Sequence, residues 1–132
     1  MIITPLYAGI LALLFLVLSV RVILMRGKGI SLGDGGDKIL LRRIRAHGNF
    51  AEYVPFILLM MGILELGRFP GYILHIIGIA LVVGRVLHGY SLAFTEHFKF
   101  GRMWGAAITF LLLLVCGALC LYQGINAHVV LN

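Results

Sequence analysis

Four long apolar runs divide the chain, and each is long enough to cross a membrane as a helix. We predict helices at about residues 2–26, 39–66, 72–94 and 103–128. An α-helix rises ~1.5 Å per residue, and ~20 apolar residues span the hydrocarbon of a bilayer. The connections are rich in glycine, proline and charged residues, which end helices. Because the connections are also short, successive helices should be antiparallel neighbours. The pattern predicts an all-α, integral membrane four-helix bundle, with one transmembrane domain over residues 1–132.

Composition and charge support this class of protein. The chain is 61% hydrophobic and 12% charged, whereas soluble domains are roughly 45–50% apolar and about 25% charged. The net charge of +6 comes mainly from basic residues at 21–45 and 99–102, which flank the apolar runs. Because cytoplasmic loops of membrane proteins are basic, we expect both segments in the cytoplasm and both termini on the other side. Their predicted neighbours are anionic membrane lipids, and no nucleic-acid partner is needed.

The second helix is unusual, because polar residues interrupt its first half. Arg45, Asn49 and Glu52 stand at i, i+4 and i+7, so one helical face carries all three. Arg85 and His88 of the third helix reach the same leaflet. Arg85 is the expected partner of Glu52, since Arg45 lies about 10 Å from Glu52 along the axis. The cluster predicts either a polar network that fixes helix register or an arginine-rich pocket for an anion on the cytoplasmic side.

Small residues at four-residue spacing and a few aromatic residues give further local predictions. Ala80 with Gly84, and Gly101 with Gly105, favour close helix contacts. Aromatic residues near helix ends are typical of interfacial anchors, and His75 is expected to be packed or hydrogen-bonded. The predicted anchors are Tyr7, Trp104 and Tyr122.

The polar segment of the second helix resembles a known family signature. Residues 45–55 follow the pattern R-x-x-x-N-x-x-E-x-x-P, which resembles the MAPEG family (membrane-associated proteins in eicosanoid and glutathione metabolism). The sequence GRVLH at 84–88 is similar to the third-helix arginine motif of that family. The glycine-rich loop at 33–36 resembles its bacterial branch. The resemblance covers nearly the whole chain.

This resemblance implies a homotrimer in the bacterial inner membrane that binds glutathione, as co-substrate, between neighbouring subunits. An arginine near the start of the fourth helix, matched here by Arg102, stabilises the glutathione thiolate in catalytic relatives, and only the thiolate is the nucleophile. A lipophilic small molecule would enter from the bilayer. The residues assigned to glutathione are Arg45, Asn49, Glu52, Arg85 and His88, with Arg21 or Arg26 assisting.

The expected function is therefore that of a glutathione transferase or peroxidase acting on lipophilic electrophiles. Eicosanoid-processing relatives have a tyrosine where this chain has Leu92, which leaves open a non-catalytic lipid- or glutathione-binding protein of the same fold. A small multidrug transporter is a third alternative, although the first helix lacks the carboxylate such antiporters use. A haem protein would need His47 and His88 as ligands. Two cysteines without nearby histidine or aspartate make a poor metal site, and no metal is expected.

Overall fold

The computed structural model describes residues 2–27, 29–96 and 98–131, and these residues form four α-helices joined by short connections. All four helices are long and apolar enough to cross a membrane, which confirms the predicted fold class. The helices are α1 (Ile3–Arg26), α2 (Lys38–Leu66), α3 (Gly71–Ala93) and α4 (Lys99–Leu131).

Helices α2 and α3 form the centre of the bundle. They contact each other, and each of them also contacts α1 and α4. Side chains such as Leu11, Ile57, Met61 and Leu81 are at most 1% exposed and form the core between the helices. Large apolar side chains on the outer surface, such as Leu114, remain exposed. Such an apolar exterior fits hydrocarbon as the surrounding solvent.

The first and third connections lie at the same end of the bundle, which we call the loop end. Arg21 on α1 donates hydrogen bonds from Nε and Nη2 to the carbonyl oxygen of Ala93 at 3.1 and 2.7 Å. Arg42 on α2 donates to the carbonyl oxygen of Ser91 at 3.1 Å, and Arg43 donates to that of Arg21 at 3.1 Å. Basic side chains therefore join three helices at this end.

The opposite end, which we call the turn end, joins α1 to the end of α2. The helix α1 has no side-chain cap of its own, and the first N–H groups of a helix lack partners within it. The carboxylate of Glu65 is the missing hydrogen-bond acceptor. It accepts hydrogen bonds from the backbone N–H groups of Ile3 and Thr4, each at 2.7 Å, and from that of Ile2. The sequence pattern did not predict this cap.

Tyr7 is not an interfacial anchor, so this prediction is wrong. Its side chain is only 5% exposed, and its hydroxyl is hydrogen-bonded to Nδ1 of His75 at 2.8 Å. The ring packs so closely on Gly78 that a Cβ there would lie 2.3 Å from it. The missing side chain at Gly78 provides the space, and His75 provides the polar partner, which confirms the prediction of a hydrogen-bonded histidine.

Close packing of α3 on α4 depends on glycine, as the small-residue spacing predicted. A Cβ on Gly105 would lie 2.6 Å from the carbonyl oxygen of Gly84. A Cβ on Gly101 would lie 3.0 Å from the carbonyl oxygen of Leu87. The helix α4 begins at Lys99 rather than near residue 103, and its first turn packs on α3 at Gly101. Arg102 therefore lies on a helix and not in a loop.

Candidate functional site

A cavity of about 260 Å³ opens at the loop end, where α2, α3 and α4 meet. Four of its lining residues are basic and none is acidic. Such a surface offers hydrogen-bond donors and positive charge, which suit an anion. The lining residues are Leu41, Arg42, Arg45, Asn49, His88, Leu92 and Arg102.

Helix periodicity and a helix cap bring these side chains together. Asp37 caps α2, because its carboxylate accepts from the N–H groups of Ile39 and Leu40 at 2.8 and 3.1 Å. Residues 42, 45 and 49 then follow at i, i+3 and i+7 and share one face of α2. On α3, residues 88 and 92 are one turn apart. The early start of α4 brings Arg102 to the same cavity.

Arg85 lies beneath this cavity and is only 2% exposed. Its Nη1 donates to Oδ1 of Asn49 at 2.8 Å. Its Nη2 donates to the carbonyl oxygen of Gly105 at 3.4 Å and to the hydroxyl of Thr109. All three acceptors are neutral, so among the described residues no carboxylate is a hydrogen-bond partner of this buried cation.

The expected pairing of Arg85 with Glu52 is therefore wrong for the single chain. Asn49 lies on the face of α2 toward α3 and accepts one hydrogen bond from Arg85. The other two acceptors belong to α4. Glu52 instead lies on the exposed side of α2, and Arg45 is exposed as well. Spacing along the helices put Arg85 at the level of residues 49 and 52 of α2, but it could not choose between Asn49 and Glu52 as its partner.

The structure brings together most, but not all, of the residues predicted to bind glutathione. Arg45, Asn49, His88 and Arg102 line one cavity, and Arg85 supports it from below. Glu52 is outside the lining of that cavity.

The two arginines predicted from the first helix lie elsewhere. Arg21 lines a neighbouring cavity of about 190 Å³, where its guanidinium lies 3.8 Å from the centre of the Phe94 ring. Arg26 is half-buried in the last turn of α1. Neither lines the first cavity within one subunit.

The two histidines considered as haem ligands face different neighbours. His47 stacks on the ring of Phe15 in α1, with ring centres 4.6 Å apart. His88 is 5% exposed and lines the basic cavity. One haem cannot take both side chains as ligands in this arrangement.

Two residues of the site were missed by sequence reasoning. Arg42 lines the cavity, and its spacing from Arg45 and Asn49 was a signal available in the sequence. Thr109 is 1% exposed and contacts Arg85. Its signal was weaker, because one threonine in an apolar helix commonly bonds only to its own backbone.

Comparisons with known proteins identify the family of the chain. The model of the MAPEG family matches residues 4–122. Two relatives, each named "Inner membrane protein YecN" and coming from Escherichia coli strains K12 and O6:H1, are 37% identical to this chain over 90 residues. The match covers 67% of this chain and 69% of each relative. No solved structure gives a significant match. The chain is an integral membrane protein that belongs to the MAPEG family.

Proposed function

We propose that this protein binds glutathione in the basic cavity and uses it to conjugate or reduce lipophilic electrophiles. The observation that carries the proposal is the lining of that cavity, which contains three arginines and no carboxylate. Glutathione is a peptide with two carboxylates and a thiol. Guanidinium groups bind carboxylates through paired, charge-assisted hydrogen bonds, so Arg42 and Arg45 suit its carboxylates.

Arg102 is the residue we assign to the thiol. A cation beside a thiol favours the thiolate, which is the nucleophile. Arg102 lines the cavity near the start of α4, where the helix dipole also favours negative charge. With an aryl halide, the thiolate sulfur forms a bond to the ring carbon, the carbon–halogen bond breaks, and halide leaves with the bonding electrons.

A homotrimer would complete this site. Glu52 and Arg45 are exposed on α2 in a single subunit, and an ionised side chain facing hydrocarbon costs at least ~2.5–3.5 kcal/mol. A neighbouring subunit that covers this face removes that cost. In the trimer, Glu52 binds the amine of glutathione, and an arginine of α1, Arg21 or Arg26, assists from the neighbouring subunit.

The distribution of charge supports a proposed orientation in the membrane. The loop end carries the arginines of α1, those of the first two turns of α2, and Arg102 in the first turn of α4, and cytoplasmic ends of membrane proteins are basic. We therefore place the cavity toward the cytoplasm of a bacterium, where glutathione is made, and both termini on the other side. The electrophile enters from the lipid that surrounds the apolar exterior.

A non-catalytic binding protein is the second candidate, and one observation favours it. Leu92 lines the cavity where eicosanoid-processing relatives have a tyrosine. An aliphatic side chain cannot donate a hydrogen bond to a reacting atom. The cavity can therefore bind glutathione and leave it unreacted.

Two measurements on the detergent-purified protein test the proposal. Titration calorimetry with glutathione measures binding, and absorbance with an activated aryl chloride measures conjugation. Binding with turnover supports the transferase, and binding without turnover supports the second candidate. Lys38→Gln is the control for lost charge, because Lys38 is a basic residue at the loop end outside the cavity lining. No binding by the wild type would contradict both.

A further inference from the structure

A buried chain of hydrogen bonds runs from α4 through Arg85 to the basic cavity. The hydroxyl of Thr109 donates to the carbonyl oxygen of Gly105 at 2.8 Å. The same hydroxyl oxygen accepts a hydrogen bond from Nη2 of Arg85. Nη1 of Arg85 then donates to Oδ1 of Asn49 at 2.8 Å. Arg85 and Thr109 are 2% and 1% exposed, so water does not compete for these contacts.

The chemistry of the groups fixes the direction of every bond in this chain. A guanidinium has only donors, so the atom of Asn49 that faces Arg85 must be its oxygen. The amide nitrogen of Asn49 consequently points away from Arg85, and Asn49 lines the cavity. The hydroxyl proton of Thr109 is committed to Gly105, which leaves its oxygen free to accept from Arg85.

We propose that Thr109 is a positioning residue that holds Arg85 and thereby turns the amide N–H of Asn49 toward the bound ligand. Asn49 is then a hydrogen-bond donor in the cavity, as are the arginines around it. The group that it recognises is an acceptor without protons, such as a carboxylate or a peptide carbonyl. The identity of the ligand rests on the proposed function, whereas the orientation of Asn49 rests on the contacts of Arg85.

Arg85 depends on Thr109 because it has few alternative partners. Its Nε is buried and has no hydrogen-bond partner among the described residues. Its contact with the carbonyl oxygen of Gly105 is long, at 3.4 Å. Loss of the Thr109 hydroxyl would therefore leave Asn49 as the main anchor of the guanidinium, and the amide would no longer have a fixed position.

A purely local role for Thr109 makes a different prediction. Threonine hydroxyls in helices commonly bond to the carbonyl four residues earlier, as this hydroxyl does with Gly105. If that bond were its only role, removal of the hydroxyl would change stability and leave ligand affinity unchanged. The two roles can therefore be separated by measuring both quantities.

The test compares Thr109→Val, which keeps the shape and removes the hydroxyl, with Thr109→Ser, which keeps the hydroxyl. Each is made in the wild type and in Asn49→Ala, and glutathione affinity is measured by calorimetry. We expect Thr109→Val to weaken binding roughly five- to tenfold, the effect of one hydrogen bond, and Thr109→Ser to retain wild-type affinity. When Thr109→Val is added to the Asn49→Ala variant, glutathione affinity should not fall further. Equal weakening in both backgrounds, or none in the wild type, would overturn the proposal.

A second readout separates this inference from the proposed function. If the wild type does not bind glutathione, the proposed function is wrong, and the inference is judged by melting temperatures instead. We expect the losses from Thr109→Val and Asn49→Ala to be less than additive, because loss of the Thr109 hydroxyl already frees the guanidinium that Asn49 binds and weakens that bond. Additive or more than additive losses would overturn the inference. Thr109→Ala repeats the measurement with a smaller side chain.

Discussion

Arg85 on α3 and Asn49 on α2 are joined by a hydrogen bond of 2.8 Å beneath the basic cavity. The arginine is buried at membrane depth and its acceptors are neutral groups of α2 and α4. Its charge therefore adds to the positive potential of the cavity, since no carboxylate of the described residues is hydrogen-bonded to it. This relationship links the packing of three helices to the basic cavity above them.

The first prediction concerns the geometry of the guanidinium. In Arg85→Lys the charge remains, but one ammonium group cannot reach Asn49 and Thr109 as the planar guanidinium does. We expect a loss of about 1.5–3 kcal/mol in stability, the value of a hydrogen bond to a charged group, together with weaker glutathione binding. Thermal unfolding in detergent and calorimetry measure the two effects. A lysine variant with wild-type melting temperature and affinity would refute this role.

The second prediction concerns the charged face of α2. Arg45→Ala and Glu52→Gln should each weaken glutathione binding about tenfold or more, because each removes a charge-assisted hydrogen bond. Lys38→Gln, the control, should bind as the wild type does. The Glu52 variant also tests the trimer, since Glu52 lies outside the cavity of its own subunit. If both variants keep the wild-type affinity, the site assignment is wrong.

The third prediction separates binding from turnover. Arg102→Gln removes the cation that we assign to the thiolate, while Arg42 and Arg45 still hold the carboxylates. We expect kcat for conjugation to fall by about 100-fold, the scale of losing one stabilising group at a reacting atom, with a much smaller change in glutathione affinity. Steady-state kinetics and calorimetry on the same preparation give both values. Unchanged kcat would remove Arg102 from the mechanism.

The fourth prediction concerns the cap at the turn end. Glu65→Ala removes the acceptors of the backbone N–H groups of Ile3 and Thr4. Loss of a helix cap costs about 0.5–2 kcal/mol, so the melting temperature should fall. Glutathione affinity should be unchanged, because the cap lies at the end away from the cavity. A large loss of affinity would show that the two ends are coupled.

The fifth prediction uses two glycines of the same helix. In Gly105→Ala the new Cβ would lie 2.6 Å from the carbonyl oxygen of Gly84, which forces α3 and α4 apart at a cost of about 1–3 kcal/mol. In Gly117→Ala the new Cβ meets no atom within 4 Å, so the higher helix propensity of alanine should leave the stability equal or slightly greater. Thermal unfolding compares the two. Equal melting temperatures would contradict the close contact.

The helices were predictable because apolar runs and glycine-rich breaks set their positions directly. The face of α2 that carries Arg45 and Asn49 was also predictable, since helical periodicity fixes it. The partner of Arg85 was not, because a choice between Asn49 and Glu52 depends on the rotation of α2 against α3. The contact of Thr109 with Arg85 and the cap by Glu65 join residues distant in sequence, and helix periodicity carries no information on such pairs.

Calorimetric titration of the wild-type protein with glutathione tests the central claim most directly. We predict saturable binding, with Arg45→Ala weaker by about tenfold or more and Lys38→Gln unchanged. Absence of binding by a folded, detergent-solubilised wild type, or equal affinity of the wild type and Arg45→Ala, would contradict the assignment of the basic cavity to glutathione.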